Sequence, residues 1–203
     1  MTTSLDERLL IAARTRGHGP ALDRAVSRFT LLGEHAGVWL AIGVAGQALD
    51  GSRRARWRRA TGAVASMYAL NTATKLVVRR QRPQLRGLPA LIGTPTTLSF
   101  PSAHASTAFA GALAYSRVGL PALPLYALAG GLSYSRLYLG VHYPSDVLAG
   151  ALLGTAIGAA AMRSRRSDAR GGASGPVAEP SGLAHSNGHD PQSFVAPLAW
   201  GTA

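Results

Sequence analysis

The sequence predicts an all-α fold, a polytopic membrane bundle of five to six helices, on three observations. Only 15% of the 203 residues are charged although the net charge is +12, against about a quarter charged in a typical soluble chain. The charge must therefore sit between long uncharged stretches. Five such stretches lie between residues 29 and 162, each approaching the roughly 20 residues of a bilayer span once its flanks are counted. They are rich in Gly and Ala, which let helices approach closely in lipid. A soluble bundle of five such helices would have too little polar surface to cover itself.

Residues 1–28 read as an amphipathic segment. Ser4 and Glu7 have capping-box spacing, and apolar residues from Leu5 to Ala13 alternate with charges at roughly helical spacing. Such a helix lies in the interface or packs on the bundle; it lacks the pattern of a signal peptide. The membrane-embedded domain spans 29–162. Its first apolar stretch runs from Phe29 to Leu49, interrupted only by Glu34 and His35. The others are Ala60 to Val78, which carries Lys75 near its end, Leu98 to Ser116 with only His104, Val118 to Ser135, and Val147 to Met162. From 163 to 203 the chain is Gly, Ser, Pro and charge without period, as in a disordered tail. His185 and His189 are four apart there, but Asn187 and Gly188 between them argue against a helical metal pair.

The basic residues sort by position. Ser52–Arg59 holds five Arg in one short loop, which places that loop in the cytoplasm and the loops around 79–99 and 136–146 outside. A loop so short between spans is no nucleic-acid-binding domain, so no nucleic-acid partner is expected. The absence of Cys excludes disulfides, thiolate metal sites and cysteine catalysis.

Three polar clusters fall on the outer side. In the first, the chain's single lysine, Lys75, stands with Arg79 and Arg82 at i, i+4 and i+7, one stripe on a helix expected to end before Pro83. Arg80 and Arg86 belong to the same basic group. In the second, Pro101 and Ser102 start a helix whose free N–H groups suit an anion, with Ala103 and His104 in its first turn. In the third, Ser135, Arg136 and His142 precede Pro144, which suits the first position of a helix and puts Asp146 in its first turn. The Asp146 carboxylate can then reach back to one nitrogen of His142, fixing the tautomer and freeing the other to attack. Singly, each cluster has a bland reading: snorkelling cations, a structural histidine, a helix-dipole partner. Together they supply cations, an anion-binding helix start, two histidines and a carboxylate, an inventory for phosphoryl transfer without a metal or other cofactor.

K-x6-R-P (Lys75 to Pro83), P-S-x-H (Pro101 to His104) and S-R-x5-H-x3-D (Ser135 to Asp146) resemble, in order and spacing, the three-part signature of the type-2 phosphatidic acid phosphatase superfamily. The resemblance covers about Leu31 to Met162 and departs at Ala103, where the family commonly has Gly. It implies a six-helix core, with the N-terminal segment as the sixth helix, and a phosphohistidine mechanism. By motif position it implies His142 as nucleophile, Asp146 as its orienting partner and His104 as general acid. Lys75, Arg82, Ser102, the Ala103 backbone and Arg136 would bind phosphate. The implied substrate is a membrane lipid phosphate: a polyprenyl phosphate or diphosphate, a phosphorylated prenyl-linked sugar such as decaprenylphosphoryl-5-phosphoribose, or phosphatidate. Arg-heavy, Ala/Gly-rich usage points to a high-GC bacterium, with the site on the outer face of its cell membrane. Vanadium haloperoxidases share the signature but are soluble and much longer. The alternative of another class is a non-catalytic membrane protein that binds lipid phosphate; the complete set of motif residues argues against it.

Overall fold

The computed structural model describes residues 4–163; apart from Arg163, the stretch expected to be a disordered tail lies outside them. The described residues are helical, with no strand beyond two isolated bridges in the 79–102 loop. Each of the five apolar stretches contributes one α-helix: α3 (Gly37–Leu49), α4 (Arg54–Val78), α5 (Ala103–Val118), α6 (Ala122–Tyr138) and α7 (Pro144–Arg163). The N-terminal segment forms two helices rather than one, α1 (Leu5–Thr15) and α2 (Pro20–Phe29). Two stretches, Pro20–Leu49 and Pro144–Arg163, are apolar and long enough to cross a bilayer on length and composition alone. The other helices reach that length only with their polar ends; at 16 residues, α5 is roughly 24 Å long.

The α5 helix is the hub, packed against α4, α6 and α7. It makes these contacts through small residues of its own: Ala105, Ala108, Ala110, Ala112 and Ala114 are fully buried. On α7, Gly150, Gly154 and Gly158 face α5 so closely that a Cβ at Gly150 would lie 2.7 Å from the Ser102 carbonyl oxygen, and one at Gly158 2.9 Å from that of Ala110. Small residues at i, i+4 and i+8 let two backbones meet where lipid supplies no hydrophobic drive. The larger core groups sit at the other end. Trp39, Trp57 and Tyr115 cluster there, and the Tyr115 hydroxyl donates to the Trp39 carbonyl at 2.7 Å.

The first apolar stretch breaks where the sequence is polar. A 3₁₀ stretch, Thr30–Ala36, joins α2 to α3 and leaves helical geometry at Glu34, while His35 (φ 48°) and Ala36 (φ 61°) are left-handed. Non-helical backbone at membrane depth is tolerated where it lines a cavity, as this break does.

At the same end α1 packs across the bundle. Its capping box is formed, Ser4 Oγ accepting from the Glu7 N–H at 3.2 Å and Glu7 Oε2 from that of Ser4 at 3.3 Å. Leu10 and Arg14 are buried, and Arg14 donates to the carbonyls of Tyr138 (3.1 Å) and Pro89 (2.8 Å). The five-arginine segment, Arg53 to Arg59, begins α4 at the opposite end, where Arg53 donates to the Val118 carbonyl.

Candidate active site

A cavity of about 250 Å³ opens among the ends of α4, α5 and α6 and the break before α3. Lys75, Arg82, Ala103, His104, Arg136 and His142 all line it. Residues up to 67 positions apart in sequence are thus brought to one wall. Ser102 and Asp146 stand behind this wall, both fully buried.

Each side chain is held by a local feature that the fold supplies. Lys75, in the last turn of α4, donates to the carbonyls of Leu98 (3.1 Å) and Ser99 (3.4 Å). Arg82 is in the loop and donates through Nε to the Thr96 carbonyl (2.8 Å) and through Nη1 to that of Val141 (2.7 Å); Nη1 also lies 3.1 Å from His142 Nε2. Arg136, buried near the end of α6, donates to Thr30 Oγ1 at 2.7 Å and keeps Nε without a protein partner. Three cations on one cavity are costly unless an anion joins them.

The two histidines are fixed differently. His104, in the first turn of α5, donates through Nε2 to the Thr30 carbonyl at 3.0 Å, with Arg136 Nη1 at 3.5 Å and Glu34 at 3.9 Å. His142 lies in the α6–α7 loop with Nδ1 turned to Asp146 Oδ2 at 3.5 Å, a close contact that falls short of a hydrogen bond. Burial pulls the His142 imidazole down to about 3; Asp146 opposes the shift, and the charges of Arg82, Arg136 and Lys75 add to it. It is therefore neutral at pH 7. Asp146 is itself held, Oδ2 accepting from the Tyr143 N–H (2.9 Å) and Oδ1 from Arg80 (2.7 Å). The Ser102 N–H donates to the Asp146 carbonyl at 3.0 Å, tying the starts of α5 and α7 together.

The structure corrects the stripe expected from Lys75 through Arg79 to Arg82. α4 ends at Val78, and Arg79 is its exposed left-handed cap (φ 53°), its N–H bonded to the Lys75 carbonyl. The chain then turns to pair with the strand-like segment before α5: the Ser99 N–H donates to the Arg80 carbonyl (2.8 Å) and the Arg82 N–H to that of Thr97 (3.0 Å). This turn sends Arg79 and Arg86 to the surface and brings Arg80 behind Asp146. Arg80 bridges Asp146 to Asp6 of α1 (2.8 Å) and lies over the Tyr143 ring; Asp6 also accepts from the Ser145 N–H (2.9 Å) and hydroxyl. Burial opposes ionisation of Asp6, but the Arg80 and Ser145 bonds outweigh it and hold the carboxyl below its usual range.

Sequence reasoning missed several other residues. Thr30 anchors both His104 and Arg136, and nothing in its sequence surroundings marks it. Tyr68, Asn71 and Thr72 line the cavity from α4 and read in sequence as ordinary span residues. Glu34 and His35 also line it; their signal was the polar interruption of an apolar stretch. Among the described residues no group of three or more His, Asp or Glu has metal-holding geometry.

Comparison with known proteins places the chain in a family. The sequence profile of the PAP2 superfamily matches residues 57–169. Decaprenylphosphoryl-5-phosphoribose phosphatase of Mycobacterium tuberculosis is 41% identical over 140 residues, 68% of this chain and 76% of that protein. The crystal structure of Aquifex aeolicus LpxE superposes with a TM-score of 0.68 at 24% identity, over 79% of this chain and 96% of that one. A transmembrane PAP2-type phosphatidylglycerolphosphate phosphatase from Bacillus subtilis gives 0.67 at 22% identity, over 80% and 85%. A profile over more than half the chain and a relative this similar over most of its length show the family: this chain belongs to the PAP2 superfamily.

Proposed function

We propose that this membrane lipid phosphatase removes the phosphomonoester of a prenyl-linked phosphosugar, as the name of its mycobacterial relative describes. The observation that carries the reading is the convergence of three cations, two histidines and a buried carboxylate on one cavity among the helix ends.

In this mechanism Lys75, Arg82 and Arg136 bind the non-bridging phosphate oxygens and offset their charge. The orphaned Nε of Arg136 and the N–H groups starting α5 add donors. His142, neutral and with Nδ1 turned to Asp146, attacks phosphorus through Nε2. As the N–P bond forms, the P–O bond to the sugar breaks, and His104, as imidazolium, gives one of its two N–H protons to the leaving oxygen and becomes neutral. His104 then takes a proton from water, which attacks phosphorus, breaks the P–N bond and releases inorganic phosphate. Arg82, 3.1 Å from His142 Nε2, follows the phosphoryl group through both steps. Because the arginine-rich end lies opposite the cavity, the positive-inside rule orients the site to the outer face of a bacterial cell membrane.

The test is phosphate release from prenyl phosphosugar, prenyl phosphate, prenyl diphosphate and phosphatidate by protein in detergent, with EDTA present. The phosphosugar is expected to turn over best, and His142→Ala to lose all turnover. Quenching with labelled substrate in alkaline detergent is expected to trap label on wild type in a bond that survives base and is lost in acid. Loss of activity in EDTA, or label absent from wild type, refutes the histidine mechanism; preference for phosphatidate refutes the substrate assignment.

A further inference from the structure

The cavity carries two acceptors that a phosphate cannot satisfy. Glu34, set at the break between the 3₁₀ stretch and α3, lines the wall shared with His104, and its carboxylate accepts no hydrogen bond from the described residues. Its carboxylate lies 3.9 Å from His104 Nε2, so it faces the phosphate end. Asn71 of α4 also lines the cavity and is 1% exposed. Its Nδ2 donates to the Pro101 carbonyl (3.2 Å) and Ser106 Oγ (3.1 Å), which fixes the amide orientation and leaves Oδ1 without a partner. A carboxylate beside a phosphate site repels the substrate's phosphate, and a buried unpaired carbonyl oxygen costs stability. Both liabilities vanish if the substrate brings O–H donors.

The surroundings fit such a group. Tyr68 donates to or accepts from His35 Nδ1 at 2.8 Å, and Thr72 lies one residue beyond Asn71 on the same cavity. The left-handed backbone at His35 and Ala36 holds Glu34 in place, and non-glycine residues persist in that conformation where the surroundings over-determine it.

We propose that Glu34 and Asn71 form a hydroxyl-binding subsite, which accepts hydrogen bonds from a glycosyl group bearing the scissile phosphate. This rests on the phosphosugar reading above and assigns it residues outside the family signature. A prenyl phosphate or a phosphatidate leaves both acceptors unpaired, so the site discriminates against them by the cost of those orphans.

The test pairs a variant with a substrate change. Wild type and Glu34→Ala are assayed on a prenyl phosphoribose 5-phosphate and on its 2,3-dideoxy counterpart, with melting temperature as the check on folding. Deoxygenation is expected to lower wild-type kcat/KM by roughly 10- to 100-fold, as for a charged hydrogen bond. In Glu34→Ala that discrimination is expected to fall to about threefold or less. Glu34→Gln, which keeps an acceptor oxygen, is expected to recover part of it. An equal loss on both substrates overturns the subsite and assigns Glu34 to His104, its 3.9 Å neighbour. Wild type that hydrolyses prenyl phosphate but neither ribosyl lipid overturns the phosphosugar reading itself, and the subsite with it.

Discussion

Gly154→Ala tests whether the α5–α7 contact sets the geometry of the site. A Cβ at Gly154 would collide with the Ser106 carbonyl oxygen and come within 2.9 Å of the carbonyl carbon and 3.0 Å of the Ala110 nitrogen. All three are backbone atoms of α5, so no rotamer relieves the clash and α7 must move outward. Overpacking costs about 1–3 kcal/mol, and a backbone clash falls at the upper end. The gain in helix propensity offsets at most about 1 kcal/mol. The net loss is about 2 kcal/mol, a fall of roughly 4–8 °C in melting temperature for a chain of this size. The same movement shifts Asp146, which the Ser102 N–H holds at 3.0 Å, away from His142. Displacement of that kind lowers kcat by about tenfold or more. Gly62→Ala and Gly130→Ala are the controls, since a Cβ at either meets nothing within 4 Å; they are expected to melt with wild type or slightly above it. Thermal unfolding in one detergent and phosphate release measure both effects. If Gly154→Ala melts with the controls, the close approach does not set the helix spacing and the reasoning fails.

Asp6→Asn removes an ion pair that is about three-quarters buried on both sides and is expected to cost about 1–2 kcal/mol. Because the folded carboxyl lies below its usual range, its contribution is present above about pH 4. It is lost as pH falls through the folded value; wild type and variant should therefore differ in melting temperature at pH 7 and converge in acid. The His142 imidazole is held down to about 3, against about 6.5 unfolded. Stability from burying it neutral is therefore full above about 6.5 and lost as pH falls towards 3. Between pH 7 and 5 the melting temperature of wild type should drop, and that of His142→Asn should drop less. Arg136→Ala removes a buried phosphate donor and is expected to lower kcat by roughly 10²–10³-fold, measured on protein whose melting curve shows it folded.

The candidate site was largely legible because its chemistry sits at helix ends, which sequence marks. Pro101 with Ser102 and Pro144 announce the starts of α5 and α7, and those starts fix His104 and Asp146 in first turns. Arg79 and Arg80 were not separable in this way. Which of them reaches Asp146 depends on where α4 stops, and that is set by backbone pairing with Thr97 and Ser99 across the loop.

The sequence by itself determined the five apolar helices, the charge asymmetry and the motif residues, since helical period, helix-start chemistry and the absence of charge are local properties. Only the tertiary structure decided that Thr30 anchors His104 and Arg136, that Asp6 reaches Arg80, and that the break at Glu34 turns into the cavity. Those contacts join residues 74 or more positions apart, or 3.9 Å neighbours across separate helices. No local pattern encodes them, because they arise from where packed helices bring their ends.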